Sequence, residues 1–229
     1  MSLKTFPSLN FERELIASGN RFIIGIDEVG RGAIGGPVAV AAALVDSQAE
    51  SFSQPWPEAL ADSKLMTEKS RIATAPLVRD WVAGVHTGYV SAVEIDQRGI
   101  TKALALAAGQ ALEKILDSAE LRSQIARDGA TIILDGSHNW LGAQASGINV
   151  IARTKADRDC VSVACASVVA KVERDALMIE LGSRLPAYGF EGHKGYASAA
   201  HIEAIRSIGP SPEHRLTWLT RILSEDLSV

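Results

Sequence analysis

Two apolar runs of strand length, joined by a short glycine-rich segment, constrain the fold of this chain most strongly. Residues 21–27 (RFIIGID) form the first run, and residues 36–46 (GPVAVAAALVD) form the second. A short link suits a hairpin of antiparallel strands, because parallel neighbours need a long crossover connection. The sequence therefore predicts that a sheet begins with a hairpin at residues 21–46.

The pattern of apolar residues extends this hairpin into a larger sheet. Residues 131–135 (TIILD) predict a strand that is reached through a helix, so it should lie parallel to another strand. The other predicted strands are 83–90 and 148–152, and the predicted helices are 9–18, 67–81, 91 or 92 to about 117, 160–184, 198–208 and 213–226. This order predicts an α/β fold with a mixed five-stranded sheet flanked by helices and a helical C-terminal cap.

The overall composition excludes several classes of protein. Hydrophobic residues make up 47% of the 229 residues and charged residues 22%, so the chain is too apolar for a disordered protein. Lys and Arg number 23 against 27 Asp and Glu, which gives a formal net charge of −4. A nucleic-acid partner would therefore need a local basic patch, because the bulk charge repels it.

The cysteines and the apolar segments indicate the cellular compartment. Cys160 and Cys165 form neither a disulfide framework nor a zinc site, and we expect both to be reduced and buried. The N-terminus lacks the apolar segment of a secretory signal, and the longest uncharged apolar-rich run, 32–45, is too short to cross a bilayer. We expect a cytoplasmic protein without membrane contact.

Carboxylates end two of the predicted strands. Asp27 and Glu28 follow the apolar residues 22–26, and Asp135 ends the strand at 131–135. Each acid alone fits a solvated strand end, but acids gathered at one edge of a sheet repel each other and need a cation. The five histidines show no zinc spacing, and we expect them in loops or at the surface. Oxygen ligands without clustered His or Cys favour Mg²⁺ or Mn²⁺.

Asp157 is a fourth candidate ligand for this cation site. It lies shortly before the helix that is predicted to begin at residue 160 or 161. The alternative is that Asp157 stabilises the start of that helix through its charge or as a cap. Asp159 fits this structural role better, because it lies closer to the helix.

A glycine-rich loop follows the Asp27–Glu28 pair directly. Residues 30–37 (GRGAIGGP) contain glycines that allow positive φ and let a ligand approach the backbone closely. The loop is not a Walker loop, since no Gly-Lys-Ser/Thr follows, and it is not a dinucleotide fingerprint, since a strand follows it rather than a helix. Hairpin turns are also rich in glycine, so a plain turn and a phosphate-binding loop remain alternatives.

Residues 25–42 (GIDEVGRGAIGGPVAVAA) closely resemble the signature of type 2 ribonuclease H, the bacterial ribonuclease HII family. The resemblance covers about residues 9 to 220, and further blocks follow in the family's order. These blocks are Asp62-Ser63-Lys64-Leu65, 91–103 (SAVEIDQRGITKA), Ile133-Leu134-Asp135-Gly136, Lys155-Ala156-Asp157 with 163–175 (VACASVVAKVERD), Tyr188-Gly189-Phe190 with His193-Lys194-Gly195-Tyr196, and His214-Arg215. Gly99 departs from the family pattern, where asparagine is usual, but no catalytic acid is replaced.

The resemblance implies an endonuclease with a ribonuclease H-like fold. Such an enzyme hydrolyses the RNA strand of RNA–DNA hybrids and nicks duplex DNA on the 5′ side of a single embedded ribonucleotide. It leaves 3′-hydroxyl and 5′-phosphate ends, and it uses two Mn²⁺ or Mg²⁺ ions when the substrate is bound. The implied organisation is an N-terminal helix at 1–20, a catalytic domain at 21–185 and a cap with the tyrosine loop at 186–229, active as a monomer.

The resemblance also assigns roles to individual residues. The catalytic acids and metal ligands would be Asp27, Glu28, Asp135 and Asp157. Gly30, Arg31, Gly32 and Tyr196 would read the ribonucleotide and the following sugar, because only the 2′-hydroxyl distinguishes RNA from DNA there. Apart from the resemblance, Ser167 and Lys171 lie four residues apart on one face of the predicted helix and could reach phosphates, although Lys171 also fits a solvated helix lysine. Lys64 and Lys194 are further candidates for phosphate contacts. Two alternatives remain open: another nuclease of this superfold, of the junction resolvase type, and a non-catalytic phosphate-binding domain.

Overall fold

The computed structural model describes residues 6–224, and its centre is a five-stranded sheet in the order β3-β2-β1-β4-β5. The strands are β1 (Phe22–Val29), β2 (Val38–Asp46), β3 (Gly84–Val90), β4 (Ala130–Asp135) and β5 (Asn149–Arg153). The β1–β2 and β2–β3 pairs are antiparallel, and the β1–β4 and β4–β5 pairs are parallel. This arrangement confirms the predicted hairpin and the predicted mixed α/β sheet.

Helices flank the sheet and form the C-terminal end of the described chain. They are α1 (Asn10–Ala17), α2 (Glu68–Trp81), α3 (Ala92–Arg98), α4 (Ile100–Ile115), α5 (Ala119–Asp128), α6 (Ala156–Asp159), α7 (Val161–Arg184), α8 (Phe190–His193), α9 (Ala199–Ile208) and α10 (Leu216–Ser224). The helix predicted at 213–226 begins at Leu216, and its last residues lie outside the described part of the chain. No helix within residues 6–224 is long and apolar enough to cross a membrane.

The two faces of the sheet are buried by different helices. Ile23 belongs to the apolar cluster that contains α7 and α2, whereas Phe22 and Ile24 belong to the cluster that contains α4. This division follows from the alternation of side chains along a strand. The apolar residues of the central strands therefore read as continuous runs, because both faces are covered.

Gly25 sets the distance between β1 and α7. A Cβ atom at this position would lie 2.2 Å from the backbone carbon of Ser162, close to the start of α7. The absence of a side chain lets the helix pack directly on the strand that carries Asp27. Glu12 of α1 adds a second connection, since its buried carboxylate accepts hydrogen bonds from the Ser162 N–H and Oγ–H, both at 2.9 Å.

The structure differs from the prediction in the helix at 91–117 and at the end of the first strand. The helix is divided into α3 and α4 at Gly99, whose φ of +78° is unfavourable for other residues. Helix α5 was not predicted. Strand β1 continues to Val29. Asp27 and Glu28 therefore lie within the strand, paired with residues of β2, rather than after it.

The C-terminal cap is fastened to the sheet through helix α3. The Asp96 carboxylate accepts hydrogen bonds from the backbone N–H groups of Leu216 (2.7 Å) and Thr217 (3.1 Å). These are free N–H groups of the first turn of α10, which a carboxylate caps well. Asp96, the aspartate of the 91–103 block, thus has a structural role in holding the cap.

Candidate active site

Asp27 and Asp135 lie side by side near the ends of two neighbouring parallel strands. Ile26 of β1 pairs with Leu134 of β4, so the next residue of each strand is an aspartate. Asp27 is 3% exposed, and its Oδ1 atom accepts a hydrogen bond of 2.8 Å from the Glu28 N–H. The parallel register therefore brings together acids that are far apart in the sequence.

Asp157 reaches the same place through the turn that follows β5. Lys155 adopts a left-handed conformation (φ +63°), and the N–H of Ala156 donates a 2.8 Å hydrogen bond to Oδ1 of Asp135. The short helix α6 then holds Asp157, which is 4% exposed. The turn is fixed from its other side by Arg158, whose Nε donates to Asp62 at 3.2 Å.

The raised pKa values of three of the acids show that the four carboxylates lie close enough to repel one another. Burial raises the pKa of Asp27 well above its usual range, and repulsion from Glu28 and Asp135 raises it further. Burial also raises the pKa of Glu28, with Asp135 adding to the shift. The pKa of Asp157 rises to about 6 because of burial and then of repulsion from Asp135 and Asp62. The site therefore favours a bound positive charge.

Two side chains of the protein supply part of this positive charge. The Lys64 Nζ atom lies 3.8 Å from Oδ2 of Asp157, and the Arg31 guanidinium lies 3.3 Å from Oε1 of Glu28. Both cationic side chains are largely solvent-exposed, so each pair is weak and easily exchanged. They compensate the acids only in part.

The donor set fits a hard divalent cation. The four acids offer carboxylate oxygens, and burial makes their charge costly without a cation. Within residues 6–224, however, no group of three or more Asp, Glu, His or Cys side chains is close enough to form a ready-made metal site. The argument for a cation therefore rests on the buried carboxylates with raised pKa values rather than on a preformed ligand geometry.

A cleft of about 470 Å³ opens beside the acids. Its lining residues are Glu28, Val29, Gly30, Arg31, Gly32, Ser63, Lys64, Lys171 and Tyr196. The cleft thus combines one of the acids, the glycine loop, the tyrosine and two of the lysines that the sequence analysis singled out. Tyr196 is 39% exposed there, so its ring is available to a ligand.

Two residues expected at phosphates have hydrogen-bond partners within the protein. Ser167 is buried beneath the cleft, where its Oγ atom donates a 2.9 Å hydrogen bond to Oγ of Ser63 and a further bond lowers the pKa of Asp27. Lys194 adopts a left-handed conformation and its Nζ atom bonds the Glu191 carbonyl. The Ser167 hydroxyl thus supports Asp27 from behind because helix α7 packs tightly on β1, and its contact with a phosphate remains a prediction.

Lys171 has a partner on its own helix. Its Nζ atom donates a 2.7 Å hydrogen bond to Asp175, four residues further along α7, and Asp175 also lies 3.9 Å from Arg71. The lysine still lines the cleft, so a phosphate would compete with Asp175 for it. The spacing of four predicted one helix face for Ser167 and Lys171, but not that the first would be buried.

The expected surface or loop position is wrong for His201, which lies in α9 and is buried. His214 does lie in a loop, between α9 and α10, but it is buried as well. His201 donates from Nδ1 to the Tyr196 carbonyl at 2.8 Å, and its Nε2 accepts from His214 Nε2 at 3.0 Å. Nδ1 of His214 accepts the Ser211 N–H at 2.9 Å. This assignment leaves both rings neutral, because every carbonyl must accept and every N–H must donate. The chain of bonds holds the backbone of Tyr196.

We expect this histidine pair to make the stability of the protein sensitive to mild acid. Burial lowers the pKa of His201 to about 4, below its ordinary value near 6.5, so the unfolded state binds the additional proton between these values. Stability should fall as the pH falls from about 6.5 toward 4. Between pH 7 and 5, urea unfolding should show a loss about 2 kcal/mol larger for the wild type than for His201→Gln.

A matched control for this experiment is His86→Gln, because His86 is exposed on strand β3. The acid-dependent loss of stability that comes from His201 should remain in this variant. Equal slopes for all three proteins would contradict a neutral, buried His201.

Comparison with solved structures identifies the fold. The crystal structure of the ribonuclease H2 from Pyrococcus horikoshii matches with a TM-score of 0.67 at 23% identity, covering 91% of this chain and 100% of that chain. The crystal structure of Bst-RNase HIII in complex with Mn²⁺ matches with a TM-score of 0.64 at 24% identity, covering 92% of this chain and 70% of that chain. The fold is that of the type 2 ribonucleases H.

Sequence comparison then identifies the family. The family model of ribonuclease HII matches residues 24–221. A ribonuclease HII of Streptomyces avermitilis is 44% identical over 213 residues, which is 93% of this chain and 83% of that protein. The chain belongs to the ribonuclease HII family, and it is a hydrolase with ribonuclease H endonuclease activity. Membership disfavours both the junction resolvase and the non-catalytic alternatives.

Proposed function

We propose that the protein nicks duplex DNA on the 5′ side of a single embedded ribonucleotide and also cleaves the RNA strand of RNA–DNA hybrids. The observation that supports this proposal is the composition of the cleft, in which Glu28 of the acid cluster and the Gly30–Gly32 backbone line the same wall. A sugar read by the loop would therefore lie beside the acids that act on its phosphate. The products would carry 3′-hydroxyl and 5′-phosphate ends.

Asp27, Glu28, Asp135 and Asp157 would hold two Mg²⁺ or Mn²⁺ ions once the substrate is bound. When bound, the ions supply Lewis-acid stabilisation of the charge that develops on the phosphate and activation of water. The donor chemistry and the raised pKa values of Asp27, Glu28 and Asp157 support this assignment. The Mn²⁺ in the Bst-RNase HIII structure belongs to that protein and is consistent with the choice of metal.

The glycine loop and Tyr196 would select the substrate. Gly32 has open space where a Cβ atom would stand, so a sugar can approach the backbone there. The exposed ring of Tyr196 offers a surface on which the next deoxyribose can pack. Together they would recognise the 2′-hydroxyl of the ribonucleotide and the DNA that follows it.

Positive side chains around the cleft would hold the flanking phosphates. Lys64 and Lys171 line the cleft, and Arg31 lies on its rim beside Glu28. Lys194 would bind phosphate only after its ammonium group leaves the Glu191 carbonyl. Since the bulk charge is negative, this local group of cations carries the attraction for the substrate backbone.

The test of this proposal is to map the cleaved bond. A duplex with one ribonucleotide in an otherwise DNA strand should be cut once, directly 5′ of the ribonucleotide. The 3′ fragment should be a substrate for a 5′-phosphate-dependent exonuclease without prior phosphorylation. Cutting on the 3′ side, or a cyclic phosphate end, would contradict the proposal.

Tyr196 provides a sharper prediction about substrate reading. Tyr196→Ala should lose most cleavage at a single ribonucleotide, because the packing surface for the sugar is removed, while metal binding measured by calorimetry stays near that of the wild type. Tyr196→Phe should retain more activity, since only the hydroxyl is lost. A tract of several ribonucleotides should suffer less than a single one, because it offers alternative registers.

The structural alternative for Tyr196 predicts a different pattern. If the residue only packs in the cap, Tyr196→Ala should lower the melting temperature and reduce cleavage of all substrates in the same proportion. That outcome would contradict the role in reading and would leave the acids unaffected.

Several further expectations remain predictions. They are the division into segments 1–20, 21–185 and 186–229, a monomeric enzyme, and a cytoplasmic location. RNA–DNA hybrid and ribonucleotide-containing duplex DNA are its proposed partners.

A further inference from the structure

Two arginines are completely buried behind the glycine loop. Arg174 of α7 and Arg215 at the start of the C-terminal helix region are each 0% exposed. Within residues 6–224 neither has a carboxylate within 4 Å, although a buried charge ordinarily needs such a partner. Their charge is instead compensated by backbone carbonyl groups.

Arg215 bonds three carbonyl groups of the loop. Its Nη2 atom donates to Gly30 at 2.7 Å and to Gly36 at 3.2 Å, and its Nη1 atom donates to Arg31 at 2.8 Å. The guanidinium group therefore connects the start of the loop, at Gly30 and Arg31, to Gly36 near its end. A water molecule or a lysine could not replace the arginine here, because neither presents its donors in this planar arrangement.

Arg174 bonds the remaining part of the loop and the neighbouring segment. It donates to the carbonyls of Pro37 (2.9 Å), Gly35 (3.4 Å) and Lys194 (3.0 Å), and its guanidinium lies 5.8 Å from the centre of the Tyr196 ring. The same side chain explains why position 30 is a glycine: a Cβ atom there would lie 2.1 Å from Nε of Arg174.

The orientation of these carbonyls determines where the loop N–H groups point. The described peptide bonds are all trans, and in a trans peptide the N–H points away from the preceding C=O. Because the carbonyls of Gly30 and Arg31 face Arg215, the N–H groups of Arg31 and Gly32 face the opposite side, toward the cleft. Neither of these N–H groups has a hydrogen-bond partner within residues 6–224.

We propose that Arg215, supported by Arg174, is a positioning residue that presents the N–H groups of Arg31 and Gly32 to an oxygen acceptor of the ribonucleotide. This inference rests on the proposed function of the cleft. It assigns the cap a part in substrate selection, since Arg215 comes from the cap and the loop comes from the sheet. Burial and the nearby Arg174 lower the pKa of Arg215 to about 9, which leaves it charged at neutral pH.

The competing explanation is that Arg215 only fastens the cap to the sheet. In that case its loss lowers stability and reduces the cleavage of every substrate equally. Arg21→Met gives the matched control, because Arg21 is a mostly buried arginine just before β1, at the end of the strand away from Asp27, where it bonds Asp46 and Asp128. Its loss should lower the melting temperature without changing substrate choice.

The experiment compares Arg215→Met, Arg215→Lys and Arg21→Met with the wild type on a duplex with one ribonucleotide and on one with a four-ribonucleotide tract. We expect Arg215→Met to lose about 100-fold in kcat/KM on the single ribonucleotide, because a displacement of about 1 Å in a positioning group has an effect of this size. The loss on the tract should be clearly smaller. Arg215→Lys, which keeps the charge and part of the donors, should recover part of the loss. The proposal would be overturned if each variant lost the same activity on both duplexes and the size of that loss paralleled the fall in melting temperature.

An NMR measurement without substrate separates this inference from the proposed function. The amide signals of Arg31 and Gly32 should shift or broaden in Arg215→Met and stay in place in Arg21→Met. Unchanged signals in Arg215→Met would overturn the positioning role even if the wild type cleaves as proposed. If the wild type fails to cut at a single ribonucleotide, the proposed function fails, and these signals still decide whether Arg215 orients the loop.

Discussion

Asp27→Asn is expected to lower kcat on a ribonucleotide-containing duplex by roughly 10³-fold or more, while the melting temperature stays unchanged or rises. The substitution removes a charged metal ligand, and metal stabilisation of a phosphoryl transfer is worth several kcal/mol, with about 1.4 kcal/mol for each factor of ten. The asparagine keeps the shape and the acceptor for the Glu28 N–H. It also removes the buried charge of Asp27, which is costly because burial and repulsion from Glu28 and Asp135 raise the pKa of this carboxyl.

Single-turnover kinetics with saturating metal, together with a thermal melt, check this prediction. Asp159→Asn is the matched control: it lies in the same short helix as Asp157, it is only partly buried, and its partner is Arg153 rather than the acid cluster. The control should lose little activity. Comparable losses in Asp27→Asn and Asp159→Asn would contradict the assignment of the acid cluster.

Removal of divalent metal is the second large expected effect. Chelation with EDTA should abolish cleavage, and added Mg²⁺ or Mn²⁺ should restore it. The same ions should raise the melting temperature of the wild type, because a ligand that binds only the folded state stabilises it and here also relieves the repulsion between acids. The rise should be smaller in Asp27→Asn, which has one ligand fewer.

The metal requirement should increase in mild acid. The pKa of Asp157 is raised to about 6, so this carboxylate takes up a proton as the pH falls through that value and competes with the metal. The concentration of Mg²⁺ that gives half-maximal activity should therefore rise from pH 8 to pH 5.5. Cleavage that survives thorough chelation, or a metal requirement independent of pH, would contradict a site built on these acids.

The sheet was predictable because its signals are local. Apolar runs at 21–27 and 131–135 predict strands, and the helical crossover before 131–135 predicts that this strand lies parallel to another one. The structure shows that its parallel neighbour is β1. Once the strands are parallel neighbours, Asp27 and Asp135 have to meet at one edge. Gly99 shows the limit of this reasoning, because the apolar pattern continues through the break that its positive φ imposes.

The buried residues that support the cleft from behind could not be predicted from the pattern of the sequence. Arg215 and His201 look like ordinary polar residues of helices in the sequence, but the fold buries them completely. Their partners are backbone carbonyls, such as those of Gly30 and Tyr196, which leave no trace in the side-chain sequence. Ser167 is a similar case, since helical spacing places it on the face of Lys171 but does not show how closely α7 packs on Gly25.

The central claim is that the cleft reads one ribonucleotide beside a metal-dependent acid cluster. The most direct measurement incubates the wild type, with Mg²⁺ or Mn²⁺ and with EDTA, with an equimolar mixture of two duplexes that differ only in one 2′-hydroxyl. The account predicts a single nick in the ribonucleotide duplex, an intact all-DNA duplex, and no cleavage of either in EDTA. Equal cutting of both duplexes, or cutting that persists in EDTA, would contradict it.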